Sequence, residues 1–170
     1  MATGGSPLST DDTNPIANVI EQKLRVEAVV KRGASWFITV AVLSIVNSIL
    51  SMSGAAIRFI FGLGIAQIVD VFAHQAGGTG VFLDLIINGF VAGIFVVFWS
   101  FARKGEKWAF VVGMVLYVLD GLILLVFKDI LAVAFHAYAL YRMYTGLSAV
   151  SVLRSIEETM RPAGAPIEPK

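Results

Sequence analysis

The chain has 170 residues, of which 57% are hydrophobic and 15% charged, with a formal net charge of +1 and a mean hydropathy of +0.80. A soluble domain of this length has too high a surface-to-volume ratio to hide so much apolar surface, and a charge near zero leaves no basic footprint for nucleic acid. With no cysteine in the chain, disulfides, thiolate metal sites, cysteine nucleophiles and covalently attached c-type haem are excluded.

Residues 1–13 are small and polar and read as a disordered N-terminus. Asn14-Pro15 is a helix start, with Asn as the cap and Pro at the first helical position. From there to residue 34, Ile16, Val19, Ile20 and Leu24 mix with Glu21, Lys23, Arg25, Glu27, Lys31 and Arg32. The pattern predicts an amphipathic juxtamembrane helix lying on the membrane surface. The competing reading of this charge pattern is a solvated stalk. Gly33 to Ile57 then carries no charge for 25 residues. A helix needs about 20 apolar residues to cross the hydrocarbon core, so a first span is expected from about Ser35 to Met52, with Trp36 as an interfacial anchor. This apolar run lies behind a polar segment and is too long for the core of a cleavable signal peptide, so it is expected to remain as an anchor.

Phe59 to Phe72 is ambiguous. It is short, and Gln67, Asp70 and His74 follow each other at spacings of three and four, which puts a polar stripe on one helical face. Gln75 to Gly80 is a glycine-rich loop with no phosphate-binding signature. A second span is expected over about Leu83 to Ala102, and a third over Trp108 to Phe127, separated by the charged turn Arg103 to Lys107. Lys128-Asp129 makes a tight turn into the last span, which starts near Ile130 and continues as helix toward Glu158. Residues 159–170 form a proline-rich tail. Gly89 and Gly93 make a small-xxx-small pair suited to close packing inside the bundle or in a dimer.

The positive-inside rule separates two topologies. With four spans, Lys23, Arg25, Lys31, Arg32, Arg103, Lys104, Lys107 and Arg154 share the cytoplasmic side, while Arg58 and Lys128 lie outside. With five spans that bias collapses. The expected fold is therefore an all-α integral membrane protein: a four-transmembrane-helix bundle over residues 35–158, a short outer-side re-entrant or interfacial helix at 59–72, and the N-terminal amphipathic helix over 14–34. The expected location is a bacterial inner (plasma) membrane, with both termini cytoplasmic. Five spans is the competing reading.

Four residues are expected to form a polar layer in the outer half of the bundle: Asn47, Asn88, Asp120 and His136. Asp120 and His136 are each eight residues from Lys128 on antiparallel helices. At 1.5 Å per residue both sit roughly 12 Å from that turn. An ionised carboxylate in hydrocarbon costs a few kcal/mol, so Asp120 needs a partner or a proton. The layer serves either as interhelical hydrogen bonding or as a proton-linked or small-ligand site. On the same faces lie Ser44 and Ser51, Asp84, and Gly113 with Tyr117. Arg142 is expected to snorkel to a cytoplasmic aromatic belt of Tyr138, Tyr141 and Tyr144, or to pair with Glu106. No metal-ligand spacing and no cofactor motif is present, and haem on a histidine is the remote case. The leading expectation is a non-enzymatic accessory or structural membrane subunit whose partners are the lipid bilayer and either a second copy or other membrane proteins. The alternatives are a small-solute or proton-linked transporter or channel, and an intramembrane haem protein or enzyme.

Overall fold

A computed structural model describes residues 15–52, 78–126 and 128–161, and the regular structure among them is entirely α-helical. Four helices follow in order: α1 (Pro15–Met52), α2 (Gly78–Ala102), α3 (Lys107–Val126) and α4 (Ile130–Met160). They form a ring in which α1 packs on α2 and α4, and α3 on α2 and α4. Three of them are long and apolar enough to cross a membrane: α1, the Leu85–Ala102 stretch of α2, and α3. Residues 59–72, with Gln67, Asp70 and His74, lie outside the described residues, as do 1–14 and 162–170.

The bundle is apolar outside, and a few polar side chains lie within its largely apolar core. On α3, Val115, Leu119 and Leu122 are more than half exposed, while Asp120 between them is 7% exposed. Ser44, Ser48, Asn88 and His136 are also buried. Water would drive this arrangement the other way, since it rewards burial of the leucines and charges for burial of the carboxylate. In hydrocarbon the leucines cost nothing outside and the polar groups are driven inward to find partners.

Both short turns are fixed by backbone conformation. In the α2–α3 turn Gly105 takes φ 81°, a left-handed value that suits a residue without a Cβ. Its N–H donates to the Ala102 carbonyl at 2.9 Å. Between α3 and α4, Lys128 takes φ 58°, and Asp129 caps α4 by accepting from the Ala132 N–H at 3.1 Å.

The structure differs from the sequence reading at the start of the chain. No boundary separates a surface-lying helix over 14–34 from a span beginning near Ser35, because α1 runs unbroken from Pro15 to Met52. Val30, Ala34 and Phe37 form one buried stripe across the expected break. Lys23 Nζ reaches Glu157 Oε1 of α4 at 3.2 Å, so the N-terminal half of α1 is laid along α4. Gly33 does not end the helix. It is the point where the α4 backbone comes closest: a Cβ added to Gly146 would lie 2.8 Å from the Gly33 Cα.

The glycines expected to pack closely are likewise not the ones that do so within this bundle. A Cβ at Gly89 or Gly93 meets nothing within 4 Å. The close approaches are Gly33 with Gly146, and Gly113, where a Cβ would lie 2.9 Å from Phe37 Cζ. Gly113 admits an aromatic core in which Phe37 lies 6.3 Å from Phe95, 6.2 Å from Phe98 and 5.8 Å from Phe110, centroid to centroid.

Candidate functional site

The tight turn at Lys128 sets the register of α3 against α4. Residues equally far from it share a depth, and the inward stripes of the two helices contain Asp120 and His136. The structure brings the two together: His136 Nε2 lies 2.9 Å from Asp120 Oδ2, with side chains 3% and 8% exposed. The other ring nitrogen, Nδ1, lies 3.0 Å from the Ala132 carbonyl one turn earlier on α4. Tyr117, one turn before Asp120 on α3, stacks on the imidazole at 4.1 Å between centroids with 15° between planes. Gly121 sits against the ring edge, where a Cβ would be 3.3 Å from His136 Cδ2. Tyr117 and Gly121 thus bracket the imidazole on the α3 side.

The Ala132 carbonyl only accepts, so the 3.0 Å contact suits a hydrogen on Nδ1, and Nε2 then faces the Asp120 carboxyl at 2.9 Å. A buried carboxyl bonded to a partner in this way costs far less in hydrocarbon than one left alone.

On the other side of the ring, Asn88 Nδ2 donates to Ser48 Oγ at 2.9 Å, joining α2 to α1. The polar layer thus includes the interhelical links Ser48–Asn88 and Asp120–His136. The α1 partner is Ser48, not Asn47. Ser44 and Ser48, at an i, i+4 spacing, are 0% and 2% exposed, whereas Asn47 lies to one side, half-buried, with its buried Oδ1 unbonded among the described residues. Ser44 Oγ and Tyr117 Oη are also buried, with no hydrogen-bond partner among the described residues. Ser48 and the stacking role of Tyr117 were not singled out from the sequence. The signals available were the Ser44/Ser48 spacing and the i, i+3 spacing of Tyr117 and Asp120.

Arg142 is half-buried on α4, with its buried Nε unbonded among the described residues. Tyr138, Tyr141 and Tyr144 face outward, and Trp36 packs edge-on against Tyr138 at 5.2 Å. Glu106 sits in the α2–α3 turn. The α4 arginine that reaches this turn is Arg154, whose Nη2 donates to the Gly105 carbonyl at 3.4 Å. Among the described residues no three His, Asp or Glu side chains gather as a metal site would require. No family model, curated protein or solved structure matches the chain.

Proposed function

We propose that this chain is a four-span inner-membrane protein acting as a non-enzymatic accessory or structural subunit, with Asp120–His136 as the fastener between α3 and α4. The observation that carries this reading is the saturation of His136: both ring nitrogens bond within the bundle and the ring is stacked by Tyr117. A side chain held this way fixes helix register. α4 counts as the fourth span because Ile130 to Val150 rises about 30 Å, enough for the hydrocarbon core. Its buried stripe, which runs from Ala132 to Ile156, hides His136.

The basic residues support cytoplasmic termini. The Arg154 contact with Gly105 sets the basic α2–α3 turn level with the end of α4, and Lys31 and Arg32 of α1 lie toward the same end, while Lys128 lies at the other. In this topology residues 59–72 form the outer-side interfacial or re-entrant helix. Reporter fusions at the two termini test the topology: both should report cytoplasm, and opposite sides would restore five spans. Extraction in mild detergent tests the subunit reading. The protein should migrate with a second copy or with other membrane proteins, and a lone monomer retaining every native contact would argue against it.

A second reading, a proton-linked carrier, is favoured by the buried unbonded oxygens of Ser44 and Tyr117 inside the same bundle. It predicts that Asp120→Asn abolishes activity in a folded protein, because an amide carries no exchangeable charge at neutral pH. The fastener reading predicts that the same variant is folded and functional.

A further inference from the structure

Where α1 and α4 cross, Gly33 meets the α4 backbone at Gly146. The charge-free run of the first span begins at Gly33, and Arg32 directly precedes it. The Gly33–Gly146 level therefore marks one edge of the hydrocarbon. Arg142 stands one helical turn from Gly146 on the apolar side of that edge, roughly 6 Å inside it. Its carbonyl would lie 3.2 Å from a Cβ on Gly33, so it borders the same crossing. One turn further in, the outward-facing Tyr138 packs edge-on against Trp36 of α1 at 5.2 Å. Arg142 is half-buried, its Nε is covered, and no carboxylate pairs with it among the described residues. Both glutamates of α1 are engaged elsewhere, Glu21 with Arg25 at 2.6 Å and Glu27 with Lys31 at 3.2 Å, and Glu157 of α4 is engaged with Lys23 at 3.2 Å. Arg32 is exposed and is likewise in no ion pair among the described residues.

From this juxtaposition we infer that the α1–α4 seam at Arg142 binds the headgroup of an anionic phospholipid, its phosphate held by Arg142 and Arg32 and an acyl chain laid along Trp36 and Tyr138. The inference goes beyond the fastening of α3 to α4 and rests on the reading of α1 and α4 as spans. The arginine itself calls for an anion. A guanidinium stays charged at any pH the protein meets, and an unpaired charge inside the hydrocarbon is costly. Its planar fork matches two oxygens of one phosphate. Depth selects a lipid over a free anion. A phospholipid phosphate stands at the hydrocarbon edge, within the snorkelling reach of an arginine one turn below it, whereas a free anion would have to shed its water to come so close to Trp36 and Tyr138. Trp and Tyr are also the side chains that suit the level just under the headgroups. Charge selects the kind of lipid. Two arginines beside engaged glutamates favour a headgroup of net negative charge, because a zwitterionic one brings an ammonium of its own against them.

The test uses the full chain in detergent micelles, titrated with dioleoylphosphatidylglycerol, dioleoylphosphatidylcholine or inorganic phosphate and read by native mass spectrometry. The first phosphatidylglycerol should bind about tenfold tighter than phosphatidylcholine, and Arg142→Gln should remove that difference, as loss of one charge-assisted contact would. Arg103→Gln removes a cation that lies over Trp99 in the α2–α3 turn, away from the seam, and should leave the difference in place. A photoactivatable phosphatidylglycerol should crosslink to the peptides carrying Trp36 or Tyr138 in the unaltered chain, a readout that does not depend on the variant folding. Equal binding of the two lipids would overturn the inference. Equal losses from Arg103→Gln and Arg142→Gln would also overturn it, since they mark a diffuse basic surface and not a site. Inorganic phosphate that displaces the lipid at matching concentration would assign the arginines to a free anion instead. The lipid site and the topology fail separately: absence of crosslinks at the seam, in a chain whose terminal fusions both report cytoplasm, would overturn the site alone.

Discussion

Gly33→Ala and Gly89→Ala are the same chemical change in two long helices, and the structure gives them opposite signs. At Gly33 the new methyl meets backbone: it crowds the Gly146 Cα, lies 2.8 Å from the Gly146 nitrogen and 3.2 Å from the Arg142 carbonyl. Backbone cannot rotate aside as a side-chain tip can, so α1 and α4 must separate. Forcing a methyl into a packed interface costs about 1–3 kcal/mol. The better helix propensity of Ala returns about 0.8–1 kcal/mol. With the clash on backbone, the upper part of the first range applies and the net loss is about 1–2 kcal/mol, near a tenfold fall in the folded-to-unfolded ratio. At Gly89 a Cβ meets nothing within 4 Å, so only the propensity gain remains. Steric trapping or reversible SDS titration in bicelles measures both. Equal effects from the two substitutions would refute the α1–α4 crossing, and with it the unbroken α1 that carries Gly33 to its contact.

Gly113→Leu should be more disruptive than either, because its side chain would displace Phe37 and Phe98 from the aromatic core; loss of folded protein in detergent by size-exclusion chromatography checks this. Ser48→Ala should cost about 0.6 kcal/mol, the typical worth of one interhelical hydrogen bond in a membrane, in the same SDS titration. Lys23→Glu should turn an attraction into a repulsion against Glu157, with an effect well under 1 kcal/mol that shrinks further in high salt, because both groups are partly exposed. Single cysteines at Gln67, Asp70 and His74 should react with an impermeant reagent from the outer side if residues 59–72 lie at the interface; silence at all three beside a reactive cysteine at Gly78 would place them deep in the bundle.

Much of the architecture was legible because hydrocarbon imposes a coarse rule on sequence. Long charge-free runs mark helices, and Leu85–Ala102 and the third apolar run were visible on that basis alone. The shared depth of Asp120 and His136 was legible for a different reason: a tight turn at Lys128 converts distance along the chain into depth, whereas their contact depends on which way each helix faces. Azimuth was less legible. The spacing of Ser44, Asn47 and Ser51 points to one face of the first span, yet neighbours stand about 100° apart around a helix and packing turns Ser48 to Asn88 instead. The fate of the N-terminal segment was also hidden. Its alternating charges match both a surface-lying helix and an extension of α1, and the choice depends on Val30, Gly33 and Gly146 meeting across residues far apart in the chain. Close-packing glycines were misplaced for the same reason: Gly89 and Gly93 form a recognisable local motif, whereas Gly33 and Gly146 form a pair only in three dimensions.

If Asp120 and His136 fasten α3 to α4, as proposed, their contributions to stability must be coupled. A double-mutant cycle of Asp120→Ala, His136→Ala and the double variant, read by steric trapping in bicelles, tests it most directly. The single losses should not be additive, with a coupling of roughly 1–2 kcal/mol, toward the upper end for interhelical hydrogen bonds in membranes because both groups are buried against each other. Additive losses, with no coupling beyond about 0.3 kcal/mol, would contradict it.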